Sequence, residues 1–94
     1  MANVIWTPQA KKDRADIWEY IAVHDLGAAI EMDERFGECA GRLGIQPMTG
    51  KTGKIPGTRE LIPHKSYRLV YEIHGDDAWV LTLVHTARQW PPIR

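Results

Sequence analysis

The strongest constraint on this chain is a pair of strand-like runs near its C-terminus. Tyr67-Arg68-Leu69-Val70-Tyr71-Glu72-Ile73 ends at His74-Gly75-Asp76-Asp77, and Ala78-Trp79-Val80-Leu81-Thr82-Leu83-Val84-His85 follows. Both runs are rich in aromatic and β-branched residues, and Gly75-Asp76-Asp77 supplies turn chemistry between them, so a β-hairpin is predicted. Period-two alternation puts Arg68 and Val70 on one face of the first run. Tyr67, Leu69 and Tyr71 take the other face, where they suit a position under helices. Thr58–Ile62 is a further candidate strand, and Thr86-Ala87-Arg88-Gln89-Trp90-Pro91-Pro92 forms a polar and aromatic tail.

The N-terminal half reads differently. Val4-Ile5-Trp6 is a short apolar strand that ends at Thr7-Pro8. Thr7 can cap a helix with Pro8 in its first position, where the missing N–H costs nothing. Ala10, Ile17 and Ile21, with Trp18 beside them, give that helix an apolar face, and Lys11, Lys12, Asp13 and Glu19 take the others. His24-Asp25-Leu26-Gly27 breaks it. A second helix is predicted from about Ala28 to Leu43, because Ala29, Met32, Phe36, Cys39, Ala40 and Leu43 recur at spacings of three and four. Gly44 is expected to stop it, and Pro47 forbids resumption. Residues 48–57 hold Gly50, Gly53, Pro56 and Gly57 with Lys51 and Lys54, and read as a flexible basic loop. Lys51-Thr52 resembles the end of a phosphate-cradling loop only superficially, since the Walker spacing is absent. The predicted architecture is one α+β domain over residues 1–94: a small antiparallel sheet packed against an N-terminal helical hairpin, in the order β-α-α-β-β-β.

Composition narrows the function classes. A chain of 94 residues buries only roughly 60–65% of its unfolded surface, so a partner that covers apolar surface would add stability. Four tryptophans are many for this length, and an interface is one use for them. The single cysteine permits no internal disulfide, and Cys39 reads as a small buried hydrophobe within the helical stripe. The absence of a signal peptide or a long apolar run predicts a soluble, cytoplasmic protein with no membrane contact. The net charge is zero, which argues against tight non-specific nucleic-acid binding. Residues 1–50 carry five Lys and Arg against eight Asp and Glu, whereas residues 51–94 carry seven against four. That split suits either an acidic partner for the C-terminal half or an ordinary solvated surface. His24, His64, His74 and His85 are scattered without metal-ligand spacing, so no metal is expected.

Several segments recur together in one known group. They are Trp6-Thr7-Pro8, Ala15-Asp16-Ile17-Trp18-Glu19-Tyr20-Ile21-Ala22, Ala28-Ala29 and Gln46-Pro47-Met48-Thr49-Gly50. Gly57-Thr58-Arg59-Glu60-Leu61, Tyr67-Arg68-Leu69-Val70-Tyr71 and His85-Thr86-Ala87-Arg88-Gln89-Trp90-Pro91 complete the set. In this order and over nearly the whole chain, they resemble the RelE/ParE superfamily of bacterial toxins, the toxic halves of type II toxin–antitoxin modules. The resemblance implies growth inhibition or plasmid stabilisation and a cognate antitoxin that wraps a helix or strand around the toxin. It implies operator DNA binding only through that antitoxin, and no cofactor.

The superfamily has two mechanistic branches. For a RelE-type chain the resemblance implies metal-independent cutting of mRNA in the ribosomal A site, with lysines on the second strand, an arginine on the third and an arginine late in the fourth. Carried over residue by residue, the third-strand arginine matches Arg68, and Arg88 lies near the place of the late one. The lysine positions hold Thr58 and Glu60 instead. ParE-type members poison DNA gyrase without catalytic residues. The long helical hairpin and the zero net charge favour that branch, while the RelE alternative keeps Arg68, Arg88 and His85 as its catalytic set. A degenerate member that only binds its antitoxin is a third alternative.

Each of these residues has a plainer reading beside the functional one. Arg68 either grips a phosphate or a partner carboxylate, or forms a cross-strand ion pair with Glu60 or Glu72. His85 is a general acid or base, or a strand-end histidine bonded to backbone. Arg59 contacts the target or orients the loop by bonding carbonyls. Lys51, Lys54, Arg59, Arg68, Arg88 and Trp90 are the candidate contacts for target or antitoxin, with Trp90 also expected to pack back on the sheet. Trp6 and Trp79 are expected in the core.

Overall fold

A computed structural model describes residues 2–92 of the chain. β1 (Asn3–Trp6) leads into α1 (Pro8–Ala22) and α2 (Leu26–Ile45). Four strands follow: β2 (Lys51–Thr52), β3 (Arg59–His64), β4 (Tyr67–His74) and β5 (Asp77–His85). They form one five-stranded sheet in the order β1-β5-β4-β3-β2, with the hairpin packed against it. The α+β architecture stands as predicted, with two changes in the sheet. β1 runs parallel to β5, so the sheet is mixed rather than wholly antiparallel. The helical hairpin carries the chain to β2 at the far edge of the sheet, and β3 and β4 bring it back to place β5 beside β1. Lys51–Thr52, expected within a loop, pairs with Arg59 and Glu60 as a short edge strand.

The helix signals hold for α1, and α2 extends two residues beyond its expected span at each end. The Thr7 hydroxyl accepts from Ala10 N–H at 3.1 Å, and it donates to the Leu81 carbonyl at 3.0 Å, which ties the start of α1 to β5. α2 starts at Leu26, two residues before the expected Ala28, because Asp25, which lies in the break as expected, also caps it: its carboxylate accepts from Ala28 N–H at 3.0 Å. Gly44 does not stop the helix. It is buried within it, and its carbonyl accepts from Ala2 N–H at 2.8 Å. α2 ends at Ile45, with Gln46 as its cap ahead of Pro47.

The predicted stripe makes the core. Phe36, Cys39, Ala40 and Leu43 of α2, with Ala10 of α1, pack on Tyr67, Leu69, Tyr71, Ala78, Val80 and Leu83. Phe36 meets Tyr67 edge-on, with ring centroids 5.5 Å apart. Trp6 packs at the edge of this cluster under the Arg14 guanidinium, 4.8 Å from its ring. Trp79 corrects the expectation of a core residue. It lies between Ala78 and Val80 on the opposite face of β5 and is half-buried.

Two local devices shape the surfaces that carry the candidate residues. In β5 the register steps from Thr82 opposite Val70 to Val80 opposite Tyr71, leaving Leu81 as an extra residue. Asp13 of α1 sits at this bulge and accepts from the Thr82 hydroxyl and from Leu83 N–H. The second device is Tyr71, whose buried hydroxyl donates to the Pro47 carbonyl at 2.7 Å and accepts from Gly50 N–H at 2.9 Å. A Cβ on Gly50 would lie 2.7 Å from the Tyr71 ring, so only glycine fits this approach. The loop between α2 and β3 is therefore pinned at its start.

Candidate functional site

The face of the sheet away from the helices carries a buried ion pair. Alternation along β4 points Arg68 there, opposite the core face of Tyr67 and Leu69. Its guanidinium donates to Glu60 of β3 at 2.8 Å, with the Arg68 side chain 14% exposed and that of Glu60 1% exposed. The other Glu60 oxygen accepts from Lys54 N–H at 3.1 Å and from the Trp90 indole N–H at 3.2 Å. Burial alone would push the Glu60 carboxyl up. Lys54 N–H, Arg68 and Trp90 together outweigh it and hold the group below the usual carboxylate range. Arg68 Nε is buried and has no partner among the described residues. Trp90 thus folds back over the sheet, as its place in the tail predicts, and the cross-strand reading of Arg68 is the one the geometry shows.

His85 and Arg88 lie on the other face. Tyr67 and His85 are directly paired, and their rings meet edge-on at 5.2 Å on the helix side. Both His85 and Arg88 line an open cleft of about 350 Å³ between α1 and the end of β5, with Asp13, Asp16, Tyr20 and Tyr67. His85 Nδ1 accepts from Ala87 N–H at 3.0 Å, which orients the ring. The residues that a nuclease would combine are therefore separated. Arg88 and His85 share a cleft, while Arg68 lies across the sheet, engaged by Glu60.

The remaining candidates are dispersed. Arg59 donates to the Gly50 carbonyl at 2.6 Å and toward that of Met48 at 3.4 Å, so it braces the loop. The Lys51 and Lys54 side chains are exposed at the β2 edge and beyond it, and Lys54 engages Glu60 through its backbone only. Thr58 is buried, with its hydroxyl donating to the Ile55 carbonyl at 2.6 Å. Cys39 is buried, and burial pushes its thiol up, which makes it a poor nucleophile. No group of three His, Cys, Asp or Glu among the described residues could hold a metal ion. Sequence reasoning missed Tyr20, Tyr67 and Asp13 as walls of the cleft. Tyr20 carried a signal, because it lies three residues from Ile17 yet has no place in the core-facing set.

A family model described as the ParE toxin of the type II toxin–antitoxin system, parDE, matches residues 4–90. The chain belongs to this ParE toxin family. It is 34% identical over 92 residues to the toxin candidate Y4kP of Sinorhizobium fredii, covering 97% of this chain and 95% of that protein. Among solved structures it is similar to one of the chromosomal ParDE system from P. aeruginosa. That match has a TM-score of 0.79 at 19% identity, covering 90% of this chain and 96% of the other. It is also similar to a chain of the YoeB–YefM complex from Staphylococcus aureus, with a TM-score of 0.61 at 14% identity, covering 90% and 97%. This ParE-family chain is thus the toxin type of a type II toxin–antitoxin module. None of its described helices is long and apolar enough to cross a membrane.

Proposed function

We propose that this chain is a cytoplasmic growth-arresting toxin that inhibits DNA gyrase by binding it, and that a cognate antitoxin neutralises it. The observation that carries this reading is the state of Arg68. A nuclease needs that cation free to stabilise charge on a phosphate in the transition state. Here it is buried against a carboxylate that Lys54 N–H and Trp90 hold in place, and the sheet separates it from His85 and Arg88. A protein-binding toxin needs no such convergence. Membership of a family described by the paired parDE name supports an antitoxin partner, as does likeness to a YoeB chain solved with YefM. Operator DNA binding would then run through the antitoxin.

The nuclease reading keeps one supporting observation, the shared cleft of His85 and Arg88. Inducing the toxin alone and following plasmid topology and mRNA integrity in the same cells separates the two. Loss of negative supercoiling with intact mRNA is expected. Cuts at A-site codons with unchanged topology would overturn the gyrase reading.

A further inference from the structure

The face of the sheet away from the helices is sealed, although both helices pack on the other side. Cross-strand partners share a face, so Val70, opposite Glu60, and Val84, opposite Arg68, lie there beside the ion pair. Val70 is 1% exposed and Val84 4%, yet neither belongs to the core cluster under the helices. The C-terminal tail reaches this face. Its first residue, Thr86, is fixed to the turn between β3 and β4, donating its N–H to the Ser66 carbonyl and its hydroxyl to the Lys65 carbonyl, both at 2.8 Å. Further on, the Trp90 indole N–H donates to Glu60, next to Val70. Among the described residues, that is the only hydrogen bond tying residues 89–92 to the sheet, and Gln89, Pro91 and Pro92 are exposed. In the same network Arg68 Nε is buried without a partner among the described residues, and a buried donor in that state carries a desolvation cost that water would remove. Two valines and a carboxylate are thus buried on a face where the tail is fastened at one point, with an unspent donor that favours opening.

We propose that residues 89–92 are a strap that opens and closes over the Arg68–Glu60 pair, with the Trp90–Glu60 hydrogen bond as its fastener and Thr86 as its fixed end. Closed, it keeps water from the pair and from the valines beside it. Open, it lets water reach Arg68 Nε and the valines, while Glu60 keeps Lys54 N–H and Arg68 as donors. The ion pair therefore survives the opening, and the change is confined to the tail. Apolar burial under the Trp90 ring favours the closed state, and the single fastener makes opening a local event well below the cost of unfolding the sheet. The device does not depend on which target the chain binds.

Trypsin tests the strap on the full-length chain. Cleavage after Arg88 requires the residues on both sides to extend into the protease, which the closed strap prevents. Cleavage after Arg42, inside α2, requires the fold itself to open. Mass spectrometry reads both cuts. The wild type should be cut after Arg88 at least about tenfold more slowly than a synthetic peptide of residues 85–94, and faster than after Arg42. Trp90→Phe keeps an aromatic ring and removes the N–H that Glu60 accepts. It should raise cutting after Arg88 about tenfold and leave cutting after Arg42 unchanged. Trp18→Phe, the same exchange on α1, should leave both rates at the wild-type values. An unchanged rate after Arg88 in Trp90→Phe overturns the fastener and the proposal with it. An equal rise at both sites overturns the strap in favour of a loosened fold. A wild type cut after Arg88 as fast as the peptide overturns the closed state itself.

Discussion

Replacing Arg68 by methionine is the most informative single change to the sheet. The substitution roughly keeps the volume of the aliphatic stem and removes the cation, leaving Glu60 with a side chain only 1% exposed and its nearest positive charge gone. Lys54 N–H and the Trp90 indole would still donate to one oxygen, but the oxygen that Arg68 engages would have no partner. Breaking a buried pair from one side typically costs about 3–5 kcal/mol. A chain of 94 residues is stable by only about 5–14 kcal/mol in total, so this loss is a large share of it. Urea unfolding followed by tryptophan fluorescence reads the change as a drop in midpoint at constant slope. The double variant Arg68→Met with Glu60→Leu removes both charges and should recover most of the loss, because apolar replacement of a whole buried pair is often neutral or better. The recovery separates the charge imbalance from simple damage to packing. A cost below about 1 kcal/mol for the single variant, or a double variant no more stable than the single one, would refute the claim that Glu60 and Arg68 depend on one another.

Three further outcomes follow from the same structure. The folded pKa of Glu60 lies below its unfolded value, so the unfolded chain binds more protons as the solution acidifies. The Glu60 contribution is therefore complete above the ordinary carboxylate range and is lost as pH falls through the folded pKa, and Glu60→Gln should flatten the acid limb of a stability-versus-pH curve. Gly50→Ala forces a Cβ to within 2.7 Å of Tyr71 and should lower stability by about 1–3 kcal/mol in thermal melts. Asp13→Ala leaves the Leu83 N–H at the β5 bulge without its partner, and a loss of about 1–3 kcal/mol is expected in the same assay.

Much of the fold was legible because local signals agreed. Thr7-Pro8 marked a helix start, the α2 stripe marked a buried face, and Tyr67–Ile73 with Ala78–His85 marked a hairpin. The misses have physical causes. Asp25 lies in the break as read, but it also caps α2, so that helix begins at Leu26, two residues before the expected Ala28. Gly44 looked like a stop because glycine commonly ends helices, yet here it admits the Ala2 backbone. The parallel pairing of β1 with β5 depends on contacts between the two ends of the chain, which no local pattern carries. For the site, alternation placed Arg68 correctly on the face away from the core, and Glu60 was in view as its partner. The third and fourth participants, Lys54 N–H and Trp90, come from a loop and a tail whose paths the sequence does not dictate. The separation of Arg68 from His85 was also implicit in alternation, since Tyr67 pairs with His85 and Arg68 with Val84, but it needed the register of β4 against β5 to be known.

The central claim is that Arg68 is committed to Glu60 and that the chain acts by binding and not by cutting. Two purified reactions test it side by side: gyrase supercoiling of a relaxed plasmid, and mRNA integrity on ribosomes programmed with an empty A site. Added to both, the toxin should inhibit supercoiling and leave the mRNA intact, and Glu60→Gln should not create cleavage. Cleavage of the mRNA by the wild-type toxin with gyrase unaffected would contradict the account, most directly if Glu60→Gln, by loosening Arg68, made the cleavage faster.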